Sequence, residues 1–254
     1  MLDPLEGLNA DGTIRTGASR DRVSPDFEPV IAAALQAFVA IADDSAELHL
    51  YGSVATGTAR RGRSDVDLLA IDAPETWCRE TERELSARFA ALCRGVAIGR
   101  GTAGDYLGDT DQEYGNRVFL RHYCVPLAGP DAVRSRSPFP GDVRAARGFN
   151  GDIGIRLAEW RAGTVAARPV ARKTLFAAAG VVSVLDGTWT TDRGTAARRW
   201  GERRPHQADQ MAMLLAWAED HRTPSPAELR AALAPGGIVA DVVAAFEATV
   251  GLWS

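Results

Sequence analysis

Lysine is almost missing from the chain: Lys173 is the single one, and the other 28 basic residues are arginine. A GC-rich genome accounts for such a bias, so rarity alone gives Lys173 no role. Cysteine is also scarce. Cys78, Cys93 and Cys124 lie far apart with no metal-ligand spacing. That excludes a disulfide framework and a clustered thiolate site, and the three read as reduced thiols in a cytoplasm. No apolar run reaches about 18 residues, and the N-terminus lacks a charged-then-apolar leader pattern, so neither membrane insertion nor export is expected. Excess positive charge is missing as well. The formal net charge is −4, which offers no general attraction to a polyanion, and no basic, aromatic-interleaved track is visible. Nucleic acid is therefore not an expected partner, and any anion site must be local. What is present is ordinary: 46% hydrophobic and 24% charged residues in a chain of 254, enough for one large or two modest globular domains.

The informative stretch is residues 47–71. Glu47-Leu48-His49-Leu50-Tyr51 alternates in polarity and runs into Gly52, which predicts a strand ending at a tight turn. Gly52 lets the backbone approach a ligand, and Ser53 adds a hydroxyl. A short helix is expected to begin at Thr56 to Ala59, its positive end facing whatever rests on Gly52 and Ser53, and such an end favours phosphate. Asp65-Val66-Asp67 then opens a second strand, Leu68-Leu69-Ala70-Ile71. Residues two apart on a strand share a face, so the carboxylates stand side by side while Val66 turns into the core. Adjacent carboxylates repel unless a cation lies between them, and hard oxygen donors suit Mg²⁺. Taken singly, Asp-x-Asp is usually a solvated turn and Gly-Ser a common loop pair. Together, at this spacing and between two strands, they equip a chain for metal-assisted phosphoryl or nucleotidyl transfer.

Gly52-Ser53, then residues 54–64, then Asp65-x-Asp67 at the head of an apolar strand resembles the signature of the nucleotidyltransferase superfamily that includes DNA polymerase beta. The nearest branch is similar to the aminoglycoside (streptomycin/spectinomycin) adenylyltransferases, which also carry a serine, here Ser64, directly before the first aspartate. The resemblance implies an α+β fold, a mixed sheet with flanking helices followed by an all-helical C-terminal domain. It implies Mg²⁺ held by Asp65 and Asp67, and ATP with its phosphates on Gly52 and Ser53. It implies transfer of a nucleoside monophosphate to a hydroxyl of a small molecule, an antibiotic-resistance-like chemistry. Arg193 falls where that branch has a phosphate-contacting lysine, and Lys173 is a further candidate to face the triphosphate.

Along the chain, residues 1–23 are polar and glycine-rich and read as a flexible or loosely packed arm. A nucleotidyltransferase domain is expected over 24–141 and a helical bundle over 142–254. Ser24-Pro25-Asp26 starts a helix to about Ala42. A second is expected over 75–92, a third strand over 95–99, and mostly loop over 101–116. Residues 117–125 are ambiguous between strand and helix. Helices are then expected near 142–162, 169–187, 205–220, 225–234 and 238–250.

Two features depart from the resemblance. The family has a third carboxylate on the third strand, as general base or ligand, near where Gly95 falls. Val96-Ala97-Ile98 contains no acid, which leaves Asp105 as first choice for the missing catalytic group among Asp105, Asp109, Asp111 and Glu113. Without that group the alternative reading is a catalytically weakened nucleotide-binding, regulatory or antitoxin-like member of the same fold. The second departure is charge. Residues 144–173 hold Arg144, Arg147, Arg156, Arg161, Arg168, Arg172 and Lys173 against only Asp152 and Glu159, the wrong sign for capturing a polycationic aminoglycoside.

Overall fold

A computed structural model describes residues 3–130 and 137–253. They divide into two compact units. The first contains Arg15–Asp109 and Asn116–Phe139; the second contains Leu5–Ile14, Thr110–Gly115 and the chain from Pro140 onward.

In the first unit Ser24 caps a 3₁₀ turn, Pro25–Phe27, which leads into α1 (Glu28–Val39), three residues shorter at its end than the apolar pattern suggested. Then come β1 (Glu47–Tyr51), α2 (Gly52–Thr56), β2 (Val66–Ile71), α3 (Glu75–Arg88), β3 (Val96–Gly101), the part of α4 (Asp111–Tyr123) from Asn116 onward, and β4 (Val125–Ala128). The strands form one mixed sheet in the order β3-β2-β1-β4. β1 is antiparallel to β2 and β4, and β2 is parallel to β3. Alternation along the strands gives the sheet two unlike faces. One carries Leu48, Leu50, Val66, Leu68, Ala70, Val96 and Ile98, packed with Phe27, Val30, Ile31, Ala34 and Phe38. The other carries Leu69 and Ile71 under Tyr106, Leu120 and Cys124. Tyr51, at the end of β1, packs against this second, smaller cluster together with Phe119.

Residues 111–123, expected as loop and then as an ambiguous segment, form one helix. Gly115 made the stretch look like loop. Its bare Cα is required by packing within the second unit: a Cβ there would lie 2.3 Å from the Gly148 carbonyl carbon. The segment expected as a loose arm is also ordered. Gly7 N–H donates to the Trp189 carbonyl at 2.8 Å, Glu6 and Thr13 form bridges to Thr190 and Pro140, and Ile14 is fully buried. These partners lie far along the chain, beyond what local composition can report.

His122, fully buried, ties three segments of the first unit together. Its ring Nδ1 lies 3.2 Å from Thr16 Oγ1, and its Nε2 accepts from the Phe139 N–H at 2.9 Å. Accepting at Nε2 requires a neutral ring protonated on Nδ1. Burial, with help from Arg121, pushes its pKa down to about 4. The unfolded chain, with histidine near 6.5, therefore binds more protons than the folded one between pH 6.5 and 4. Stability is fully present above that window and is lost as pH falls through it, by about 3 kcal/mol in total. Urea melts at pH 7, 5.5 and 4.5 should show this fall in native protein beyond that of a His122→Gln variant. Parallel pH profiles in the two proteins would refute the assignment.

The second unit is helical: α5 (Val143–Asn150), α6 (Ile153–Ala162), α7 (Ala167–Asp186), α8 (Arg193–Arg203), α9 (Ala208–Ala218), α10 (Pro226–Leu233) and α11 (Ile238–Thr249). α7 is the centre, buried along much of its length, with Trp200, Trp217 and Phe246 fully buried in the same unit. The expected helix over 142–162 is two, broken at Gly151-Asp152, where the Trp253 indole packs against Gly151 and donates to the Arg147 carbonyl at 2.8 Å. Residues Pro226–Thr249 are long and apolar enough by composition to cross a membrane, with mean hydropathy 1.5 over a window. The chain instead splits them into α10 and α11 at Ala234-Pro235-Gly236-Gly237, and Leu233, Ile238, Val239, Val242 and Phe246 are buried.

Candidate active site

The candidate site lies where β1 ends, α2 follows, and β2 and β3 begin. Tyr51 ends β1 in register with Asp67, and Asp67 is in register with Ala97 on β3. Gly52 follows with φ +73°, a conformation glycine adopts without strain. α2 begins at Gly52 itself, four residues earlier than expected, and closes at Gly57 in the left-handed conformation. The Gly52-Ser53 pair is thus the first turn of a helix rather than a loop facing one. Tyr51, the N-cap residue, supplies no side-chain bond, and the first N–H groups of a helix have no acceptor within it. The Ser53 carbonyl accepts from the N–H groups of Thr58 and Ala59, at 2.9 and 3.1 Å, which folds the following loop back.

Val66, between the two aspartates, is fully buried. The Asp67 carboxylate lies directly against Gly52: a Cβ built there would stand 2.3 Å from Asp67 Oδ2. The Gly52 turn and the second aspartate therefore form one contiguous surface. Asp65 stands one residue ahead of β2 and is gripped by Arg94. The guanidinium Nε donates to Oδ1 at 2.9 Å, and a second N–H of the same fork donates to Oδ2. Sequence reasoning missed Arg94, whose link to Asp65 spans 29 positions.

The other expected site residues have partners of their own. Ser64 closes a turn, its Oγ accepting from the Arg60 N–H at 2.9 Å. Asp105 is not a third acid for the pair. It follows the far end of β3, a full strand length from Gly95, and its Oδ2 accepts from the Thr102 N–H at 2.6 Å and the Thr102 hydroxyl at 3.0 Å. Asp105 is thus half of a capping box on the short 3₁₀ turn Ala103–Tyr106. Asp109 lies beside Arg117. Asp111 pairs with Arg147 at 2.6 Å, and Glu113 caps the first turn of α4 through Thr110. At the site the register puts Ala97, rather than Gly95, beside Asp67. Among the described residues no cluster of three or more His, Cys, Asp or Glu could hold a metal.

In the second unit, Lys173 Nζ pairs with Asp152 at 2.6 Å and donates to the Phe149 carbonyl at 3.2 Å. Burial lowers its pKa, and Asp152 opposes that. Arg193 opens α8 with its guanidinium over the Phe176 ring, 5.5 Å from the centroid. The cation excess of residues 144–173 is largely absorbed by partners distant in sequence. Arg147 reaches Asp111, Arg168 reaches Asp220, Arg161 donates to the Leu233 carbonyl, and Arg144 lies on the Tyr114 ring.

The two aspartates are hard oxygen donors of the kind a divalent cation takes. Mg²⁺ is commonly held by one or two protein carboxylates and completes its shell with phosphate and water. A tight resident site would need more donors than this face presents.

Comparison with known proteins agrees with this geometry. Residues 32–85, which hold Gly52, Asp65 and Asp67, match the family model described as nucleotidyltransferase domain. No curated protein sequence matches the chain. Solved structures do match, among them spectinomycin adenyltransferase AAD(9) from Enterococcus faecialis, determined with ATP and spectinomycin. It covers 88% of this chain and 98% of its own, with a TM-score of 0.57 at 8% sequence identity. At that identity the likeness is one of fold.

Proposed function

From a chain that carries a nucleotidyltransferase domain and resembles an aminoglycoside adenylyltransferase in fold, we propose a Mg²⁺-dependent nucleotidyltransferase that moves a nucleoside monophosphate, AMP from ATP, to a hydroxyl of a small molecule. One observation carries the reading: the Asp67 carboxylate abuts the Gly52 turn at the N-terminus of α2. Asp65 and Asp67 would hold the cation, whose contribution is to neutralise phosphate charge and polarise the reacting phosphorus. The α2 N-terminus, with Gly52 and Ser53, would bind the outer phosphates and orient the chain of phosphates toward the carboxylates. Arg193 and Lys173 enter as further phosphate contacts only within this proposal, and Lys173 would first have to leave Asp152.

Isothermal titration with ATP and MgCl₂ tests it. Native protein is expected to bind, and the double variant Asp65→Asn/Asp67→Asn to bind at least about tenfold more weakly, since charge-assisted contacts are each worth roughly 1.5–3 kcal/mol. Absence of heat with native protein, or equal affinity for both proteins, would refute the proposal.

A second reading has its own observation. Ala97 stands where a third acid would face Asp67, and Arg94 neutralises Asp65. A member so equipped would bind nucleotide yet transfer it slowly, as a regulatory or antitoxin-like protein. Pyrophosphate release at ordinary enzymatic rates with any hydroxylated acceptor, aminoglycosides included, would eliminate it.

A further inference from the structure

We infer that Arg94 is an exchange residue. It holds Asp65 while the site is without nucleotide and passes to the polyphosphate when nucleotide enters, baring Asp65 for the cation only then. The inference rests on the nucleotide-binding reading of this site and adds a regulator of its metal affinity.

The root of Arg94 is rigid. Its N–H donates to the Ser64 carbonyl at 3.0 Å, the next residue's carbonyl accepts from the Val66 N–H at 2.9 Å, and Cys93 before it is fully buried. These bonds fix the backbone on either side of Asp65. The side chain reaches solvent, being 51% exposed against 30% for Asp65. A solvent-exposed ion pair is weak enough to exchange readily. The partner it would exchange for has the same geometry: the planar guanidinium fork fits phosphate oxygens as it fits a carboxylate.

Charge supplies the coupling. Two neighbouring carboxylates need a cation, and Arg94 is that cation on the Asp65 side. A free divalent ion entering there would meet a positive guanidinium within a few ångströms and compete with it for the same oxygens. A metal–nucleotide complex meets no such barrier, because its phosphates offer the guanidinium another anion. The arrangement therefore disfavours the bare ion and admits it with its nucleotide.

Manganese binding to nucleotide-free protein, followed by the paramagnetic resonance signal of free Mn²⁺, tests the first half; calorimetric ATP binding in MgCl₂ tests the second. Arg94→Gln is expected to bind free Mn²⁺ on the order of five- to tenfold more tightly than native protein, and Asp65→Asn/Arg94→Gln to lose that gain. The same Arg94→Gln protein is expected to bind ATP at least about fivefold more weakly. Unchanged Mn²⁺ affinity in Arg94→Gln overturns the inference. So does tighter Mn²⁺ binding with unaltered ATP affinity, which would make Arg94 only a surface counter-ion. Failure of native protein to bind ATP at all would refute the nucleotide reading instead, while the Mn²⁺ measurement still decides the competition.

Discussion

Gly52→Ala is expected to lower nucleotidyl transfer about 100-fold or more while leaving the protein folded. Two effects act at that position. The first is conformational: φ at Gly52 is +73°, and an alanine held there costs about 1 kcal/mol. The second is steric and specific to the site. The new Cβ would lie 2.3 Å from Asp67 Oδ2 and 3.1 Å from its Cγ, which forces the carboxylate aside. Asp67 cannot yield by moving its backbone, because β2 pairs with β1 on one side and β3 on the other. The carboxylate must turn away, or the first turn of α2 must open. Either displaces the Asp67 carboxylate from the Gly52 turn by about 1 Å, and under the proposed function such a misplacement typically costs 10²-fold in rate. Gly62→Ala separates the two effects, since Gly62 has φ +71° but no atom within 4 Å of a built Cβ. Gly62→Ala should lose a few degrees of melting temperature and keep its activity. Equal loss of pyrophosphate release in both variants would mean that strain, and not the Gly52–Asp67 contact, decides the outcome.

The two strands around this candidate site were legible in the sequence because their determinants are local. Alternation marks 47–51 and 66–71 as strands, and Val66 is buried as a period of two requires. What stayed hidden depends on partners far along the chain. Arg94 carries no sign in its own neighbourhood that it will clasp Asp65. Gly115 read as a loop residue because its reason, the close approach to Gly148, is tertiary. Residues 5–14 read as a loose arm because their partners are Pro140, Trp189 and Thr190. Two misses had local signals. Thr102-x-x-Asp105 is a capping pattern, and recognising it removes Asp105 from the catalytic candidates. Asp192, which caps α8 by accepting from the Thr195 N–H at 2.7 Å, marks a helix start. Arg193–Arg203 was not read as a helix because its polar residues outnumber the buried Ala196, Ala197 and Trp200.

The register between β2 and β3 also sets up a test by gain. Ala97 is half-buried, lies in register with Asp67, and shares its face of the sheet. Neighbouring strands are about 4.8 Å apart, so a glutamate side chain at this position reaches the space in front of the aspartates. Ala97→Glu is therefore expected to supply the acid that this face lacks. General bases contribute typically 10²–10⁴-fold, and transfer to a hydroxylated acceptor should rise within that range, with the affinity for ATP changed far less. Ala97→Gln is the control, being equal in size and unable to take a proton. Arg94 sharpens the expectation, because its fork could turn from Asp65 to the introduced carboxylate and silence it. The rise should then be larger in Ala97→Glu/Arg94→Gln than in Ala97→Glu alone, provided that nucleotide is saturating. If the glutamine variant gains as much as the glutamate one, the effect is packing and the missing base is not what limits this protein. If neither background gains, slow chemistry has another cause than the bare third strand.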